Sequence, residues 1–165
     1  MADIDLQTVL DGIVTTIKAG IGTEVTEINN AYGDFDIAAP PTANYSTHVR
    51  EVIGQFPWVM LNGSVDVENV EGGGRQGNYD IDVIFLHNYP AHGGDETLVW
   101  RYVNRMGKAI SQTLKKKPTL GGTTGVITAL VSEQRPDDAS YSTGGFLRNV
   151  VVPLQVITYE GDSYP

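Results

Sequence analysis

The chain has 165 residues, which predicts a single domain, residues 1–165, that buries roughly 70% of the surface of its unfolded chain. Its formal net charge of −9 argues against general nucleic-acid binding, which depends on basic side chains that neutralise phosphates. The absence of cysteine excludes disulfides, zinc–thiolate sites and cysteine nucleophiles. No stretch approaches the ~20 apolar residues of a membrane span, so we expect a soluble protein made in the cytoplasm.

The charge is unevenly distributed along the chain. Residues 1–96 contain 15 acidic and 3 basic residues, a net charge of −12, whereas residues 97–165 contain 5 acidic and 8 basic residues, a net charge of +3. A protomer of this kind suits head-to-tail association, in which the basic side of one copy meets the acidic side of the next.

An amphipathic helix is predicted at the start of the chain. It begins at Asp3 or Asp5, either of which can cap its N-terminus, and ends at Gly20. Residues 24–28 are predicted as a short strand. The segment 29–45, which contains two consecutive prolines, is long for a connection without regular structure. Two interpretations of it remain open: a mobile surface loop, or an arm that a partner orders.

A β-hairpin is predicted on either side of the glycine-rich segment 72–76. Period-two alternation along its second strand defines a core face, formed by Tyr79, Ile81, Val83 and Phe85. With the turn centred near Gly74, Val67 lies opposite Ile81 and Val65 lies opposite Val83.

The other face of this hairpin carries an acidic patch. Its members are Asp66, Glu68, Asp80 and Asp82. The same register sets Glu68 opposite Asp80 and Asp66 opposite Asp82, and like charges across a ladder cost on the order of 0.2–1 kcal/mol per pair. The carboxylates are therefore either fully solvated or used as a negative surface. A cation site or a pair of catalytic acids would need a cleft, and a flat open sheet supplies none.

Apolar residues continue the same outer face beyond the acidic patch. They are Trp58, Met60, Ile84 and Leu86. Exposed apolar side chains beside acids are more typical of a protein interface than of a ligand pocket, so we expect these four residues to contact another subunit or a partner.

A second amphipathic helix is predicted over residues 96–117. Its apolar side follows the i, i+3, i+4 spacing of a helix that packs on a core and contains Leu98, Val99, Tyr102, Val103, Met106 and Ile110. The opposite side carries a basic stripe, Arg101, Arg105 and Lys108, which we expect to face an acidic neighbour or solvent.

Two strands are predicted in the last third of the chain. Residues 124–134 have apolar side chains on both faces, which indicates a central strand, and a loop follows from Pro136 to Gly145. Residues 146–160 form the last strand, before a short tail, 161–165. Pro153 lacks the N–H that a ladder requires, so this strand is predicted to be an edge or to be bulged. Such an edge is either protected against aggregation or the place where a neighbouring protomer docks.

These elements predict an α+β fold in the order α-β-β-α-β-β. Two helices pack on one face of a mostly antiparallel four-stranded sheet, with the segment 29–45 as an additional loop or arm.

Residues typical of catalysis do not form a recognisable motif. The glycine-rich segment 72–78 lacks the Lys-Ser/Thr ending of a phosphate-binding loop and lies between strands, and no Gly-x-Ser-x-Gly elbow occurs. His87, His92 and Asp95 are close enough in sequence to meet a metal, but the loop that carries them is irregular, and we interpret their spacing as a coincidence. We therefore predict a protein that is not an enzyme and has no metal or cofactor. A metal- or ligand-binding module using the two histidines and the acidic patch is the alternative from another class.

The order of these segments resembles the tail-terminator and neck (head–tail connector) proteins of tailed bacteriophages. The resemblance covers most of the chain and is carried by the first helix and by segments 56–61, 79–88, 96–116, 132–138 and 145–156, ending at Tyr159 and Glu160. It rests on pattern and order, and the segment 29–45 is longer and richer in proline than the family's pattern.

The resemblance implies a structural virion protein that assembles in the host cytoplasm. Such proteins form a hexameric ring that caps the tail tube, ends its polymerisation and joins the tail to the head. The implied partners are further copies of the chain, the tail-tube protein, the head connector or head-closure protein, and the tail sheath where one is present. DNA would pass through the ring without specific binding, and we hypothesise that the acidic patch lines or approaches this channel. A head-closure or connector protein is the alternative within the same class.

Overall fold

The computed structural model describes residues 4–50, 53–70, 74–88, 90, 93–142 and 145–159; side chains are described outside 67–74 and 137–146. The elements, in chain order, are α1 Leu6–Tyr32, β1 Tyr45–Ser46, β2 Trp58–Val70, β3 Gly74–Asn88, α2 Glu96–Lys115, β4 Val126–Val131, β5 Arg135–Ser142 and β6 Gly145–Tyr159.

The described strands form one six-stranded sheet instead of the four-stranded sheet predicted. Its order is β1-β2-β3-β6-β4, with β5 also paired to β6. The pairing is antiparallel throughout except for β1, which lies parallel to β2. The α+β class and the two helices are as predicted. The additional strands are β1, which begins at the last residue of the segment predicted as loop or arm, and β5, which begins one residue before the predicted loop and otherwise lies within it.

The first helix extends 12 residues beyond its predicted end. The Asp5 carboxylate caps it by accepting a hydrogen bond from the Thr8 N–H at 2.7 Å, and Gly33, at φ 65°, ends it in the left-handed conformation. Gly20 does not end it, because the apolar spacing continues on the core side through Ile21, Val25 and Ile28. The short strand predicted at 24–28 was therefore wrong.

The segment that follows α1 is held on the body of its own chain. The Asn29 side chain accepts a hydrogen bond from the Ile37 N–H and donates one to the Ile37 carbonyl, both at 2.9 Å. The Tyr102 hydroxyl of α2 accepts a hydrogen bond from the Ala38 N–H at 2.9 Å and donates one to the Ala38 carbonyl at 3.0 Å. Residues 29–32 of the predicted loop or arm belong to α1, and these contacts attach Ile37 and Ala38 to the two helices.

The β2–β3 hairpin keeps its predicted faces but has a different register. Val65 lies opposite Tyr79, Gly63 opposite Ile81 and Leu61 opposite Val83, so each β2 residue pairs four positions earlier than predicted. A shift by an even number leaves every side chain on its face. The predicted core face of β3 is accordingly buried against α1 and α2. The predicted apolar side of α2 is buried in the same core except for Leu98, which is half-buried.

The last two predicted strands exchange their places in the sheet. β6 is central, with β3 on one side and β4 and β5 on the other, whereas β4 lies at the edge. Pro153 is accommodated because β6 changes neighbour there: its partner in β4 ends at Val131, opposite Leu154, and β5 begins at Arg135. The missing N–H of Pro153 therefore faces the gap between two strands, and the predicted edge position of Pro153 was wrong.

Candidate interaction surfaces

The basic stripe of α2 is organised by one carboxylate at the end of α1. Asp34 forms a bidentate ion pair with Arg105, with Nη1–Oδ1 and Nη2–Oδ2 distances of 2.6 and 3.0 Å, and a second ion pair with Arg101. The Arg105 guanidinium also lies between the rings of Tyr32 and Phe35, 4.2 and 4.1 Å from their centroids. Arg105 is consequently buried. The expectation that the whole stripe faces solvent or a neighbour was wrong for this residue.

The remainder of the stripe borders an open cleft of about 530 Å³, which we call the basic cleft. Its walls include Tyr32, Trp100, Arg101, Lys108 and Gln134. Tyr32 and Trp100 are 48% and 38% exposed, and Lys108 is exposed beside Tyr32, with an Nζ–Oη distance of 3.3 Å. Three cations and the single Asp34 carboxylate leave this cleft positively charged. Exposed tryptophan and tyrosine beside arginine is the composition of residues that dominate binding at protein interfaces.

The pH dependence of stability tests the ion pairs that Asp34 forms with Arg105 and Arg101. Hydrogen bonding from Arg105 holds the pKa of Asp34 far below its ordinary value of 3.8. The ionised Asp34 carboxylate should stabilise the fold fully above its unfolded-state pKa of about 4. This stabilisation should be lost as the pH falls through its lower folded-state pKa. We expect Asp34→Asn to be less stable than the wild type at neutral pH, and the difference to narrow below about pH 4. Urea unfolding of both proteins from neutral pH to below pH 4 measures this difference in stability. A difference that does not change with pH would contradict the stabilising role of the Asp34 ion pairs.

The acidic patch lies on the sheet face opposite the helices. Asp66 and Asp80 are exposed there, and Asp82 is half-buried with its Oδ2 3.2 Å from the Arg135 guanidinium. The predicted stacks of like charges were wrong. Asp80 lies opposite Ser64, Asp82 opposite Asn62, Asp66 opposite Asn78 and Glu68 opposite Gln76. The Glu68 side chain is outside the described side chains. Because a polar neutral residue faces each carboxylate, the patch carries little of the like-charge cost that the predicted register implied.

The apolar residues of the same face form a second, small core. Trp58, Met60 and Leu86 are buried with Leu147 of β6, and Ile53, Phe56 and Ile84 pack against them. The expectation that this cluster is exposed was wrong because the chain before β2 covers it. The Trp58 indole N–H also donates to the Ser46 hydroxyl at 3.2 Å, and the Arg50 guanidinium lies 4.9 Å from the Trp58 ring centroid. In this protomer these side chains stabilise the fold, and Ile84 alone of the predicted four is not fully buried.

The histidines do not form a metal site in the part of the chain that the structure describes. His87 is buried, its ring 4.8 Å from that of Tyr102, and its Nδ1 accepts a hydrogen bond from the Asn88 N–H at 3.1 Å. His92 lies outside the described residues. Within the described ranges, no group of three or more potential ligands is close enough to hold a metal ion. Asp95 instead caps α2, accepting a hydrogen bond from the Leu98 N–H at 3.0 Å.

The aromatic members of the basic cleft were missed by sequence reasoning. Tyr32 and Asp34 lie in the segment treated as a loop, and Trp100 lies on the polar side of α2. A partial signal exists in the spacing of Trp100, Arg101, Asn104 and Lys108, which places an aromatic residue among cations along one helix. Nothing local indicates Asp34, because its partners are separated from it by 67 and 71 residues.

Comparisons with known proteins give a distant structural likeness. No protein-family model matches the sequence, and no curated protein matches it. Among solved structures, the chain is similar to a chain of the virion of a native gene transfer agent particle, at 13% identity and a TM-score of 0.42, covering 88% of this chain and 95% of that one. Among the described residues, no helix is both long and apolar enough to span a membrane.

Proposed function

We propose that the protein is a structural component of a tailed-phage virion, a ring-forming tail terminator that caps the tail tube and joins the tail to the head connector. The observation that carries this proposal is the separation of charge between two surfaces of one protomer. The acidic patch lies on the open face of the sheet, and the basic cleft lies across α1 and α2 on the other side. The order of helices and strands, which resembles that of tail-terminator and neck proteins, supports the same assignment.

The charge separation favours head-to-tail contact between copies. An isologous contact places identical surfaces together and would bring like charges into apposition, whereas a heterologous contact pairs unlike surfaces and closes into a ring when the rotation permits. In such a ring the basic cleft meets acidic residues of the next subunit that lie outside the acidic patch, within residues 1–96, whose net charge is −12. The aromatic side chains of the cleft then supply contact area, and the charges fix the orientation.

The acidic patch has a separate role in this proposal. Exposed Asp66 and Asp80 on a surface without helices would give a channel wall a negative potential. DNA carries about one negative charge per 1.7 Å of its helix axis and binds proteins mainly through cations. A negative wall therefore allows DNA to pass without being retained.

The mass in solution tests the proposal. Light scattering after size exclusion should give a hexamer, or a monomer that becomes hexameric when purified tail-tube protein is added. Lys108→Glu reverses a charge in the basic cleft and should shift assembly to higher protein concentration, because it removes a cation from the proposed contact. Lys117→Glu is the matched control, since this exposed lysine makes the same charge change outside the cleft.

Either of two results would contradict the terminator assignment. If the protein is a monomer at all concentrations and its mass does not change when tail-tube protein is added, it is not a tail terminator. Binding to a head-connector protein with no effect of tube protein would identify a head-closure component instead. If Lys117→Glu impairs assembly as much as Lys108→Glu, net charge controls assembly and the basic cleft has no special part in it.

A further inference from the structure

Among the described residues, no strand pairs with the outer edge of the sheet along most of β2. The only described strand beyond β2 on that side is β1, and it pairs with Val59 and Met60 alone. β2 continues for ten residues past this contact, to Val70, with its ladder to β3 unbroken. β1 is short because the chain leaves the sheet after Ser46, whose hydroxyl donates to the His48 carbonyl at 2.8 Å.

The direction of the backbone groups identifies which residues are available at this edge. The Val59 N–H donates to the Asn44 carbonyl, on the β1 side, at 3.0 Å. Successive residues of a strand direct their N–H and C=O groups to opposite sides, and the uninterrupted register preserves this alternation. Gly63 and Val65 therefore direct their backbone groups out of the sheet, while Asn62 and Ser64 bond to β3.

Residues 62–65 of this edge lack the features that normally prevent pairing. Such edges are usually protected by charged side chains, proline or a covering segment. The run Asn62-Gly-Ser-Val65 is uncharged and contains no proline. Val65 points to the helix side of the sheet but is 46% exposed, so a strand added here would also bury an apolar side chain.

We infer that this edge accepts an extended segment of another protein, with basic side chains at alternate positions, as an added strand beside Gly63 and Val65. The acidic surroundings determine the chemistry of the segment. Asp66 is exposed on the outer face beside the edge. Lysine or arginine at the alternate positions that face outward would pair with Asp66, while the side chains between them would lie beside Val65 on the helix side.

The strands of a second copy fit this edge poorly. A second β2 would bring Asp66 and Glu68 of both copies to the same contact, and β5 contains Asp137 and Asp138. The free side of β4 is partly occupied, since its Ala129 N–H donates to the Pro118 carbonyl at 2.6 Å. The inference rests on the sheet edge and does not depend on the proposed virion role.

Amide hydrogen exchange measured by NMR tests the inference. In the free protein, the Gly63 and Val65 amides should exchange much faster than the Ser64 amide between them. The probe is a synthetic heptapeptide of alternating valine and lysine; the control peptide alternates valine and glutamate. At a lysine-peptide concentration of about ten times its Kd, exchange at Gly63 and Val65 should slow about tenfold. Exchange at Ser64 should change little, and the glutamate peptide should have no effect at Gly63 and Val65.

Two variants separate strand addition from nonspecific attraction. Val65→Pro removes an edge N–H and should abolish protection of Gly63, whereas Val65→Thr keeps the N–H and should retain it. Protection by both peptides alike, no protection at the edge, or binding that survives Val65→Pro would each overturn the inference. Protection that rises with the protein's own concentration would identify a second copy as the occupant and overturn it as well.

Discussion

Phe85→Ala should lower the free energy of unfolding by about 3–5 kcal/mol, the range for removing a buried aromatic side chain. Phe85 is completely buried on β3, between its cross-strand partners Val59 of β2 and Val150 of β6. Its ring stacks on that of Tyr102 of α2 at a centroid distance of 6.4 Å. The substitution therefore removes contacts to two neighbouring strands and to the helix above them, and the rigid sheet cannot close the cavity fully.

Urea denaturation followed by circular dichroism measures this effect. Val65→Ala on the adjacent strand is the control, because a half-exposed side chain loses little burial and should change stability by only about 0.5 kcal/mol. A loss below about 1 kcal/mol for Phe85→Ala would mean that the site collapses around the smaller residue and that β3 is not the rigid centre of the core.

The side chains of each helix and strand that face the core were predictable from the sequence, because they depend only on the periodicity of the apolar residues. Alternation in Tyr79–Phe85 and helical spacing in Val99–Ile110 identify the core side without reference to any partner. The register of the hairpin was not predictable in this way. Glycines at 72, 73, 74 and 77 allow several turn centres, and centres that shift the pairing by an even number of residues preserve every face. The sequence pattern therefore cannot distinguish the predicted pairing from the observed one.

Two further differences arise from tertiary packing that overrides local signals. Gly20 was interpreted as a helix end. In the structure, the absence of a side chain at Gly20 allows α1 to approach α2 closely, because a Cβ there would lie 2.8 Å from Cγ2 of Thr113. Pro153 was interpreted as the sign of an edge strand or a bulged strand, yet β6 is central and Pro153 lies at the gap between β4 and β5. In both cases the residues that decide the local structure, Thr113 for Gly20 and the ends of β4 and β5 for Pro153, are distant in sequence.

The candidate surfaces were predictable in composition and only partly in placement. The residues of the acidic patch and of the basic stripe were identifiable from charge and periodicity. The internal pairing of Arg105 with Asp34 was not, because an ion pair over 71 residues leaves no local pattern. The cover of Ile53 and Phe56 over Trp58 was missed for a different reason: these residues are near in sequence, but their fold back onto the outer face of the sheet is not indicated by strand alternation.

Gly107→Ala should destabilise the protein by about 1–3 kcal/mol, the cost of overpacking a well-packed core, although alanine is the better helix former by about 1 kcal/mol. Gly107 lies on the buried side of α2, where the helix crosses β6. A Cβ there would lie 2.8 and 2.9 Å from the two methyl carbons of Val150 and 3.0 Å from the Gln134 Oε1. Val150 is itself completely buried, so neither the methyl groups nor the helix can move without disturbing the core.

Gly22→Ala is the matched control and should have the opposite sign. Gly22 lies inside α1, and a Cβ there would meet nothing within 4 Å. The substitution should therefore stabilise the protein by about 0.5–1 kcal/mol through helix propensity alone. Urea unfolding of the two variants separates the effects, because both make the same chemical change within a helix. If both stabilise the protein, α2 does not lie as close to β6 as Gly107 indicates; if both destabilise it, the interior of α1 is not the regular, uncrowded helix described above.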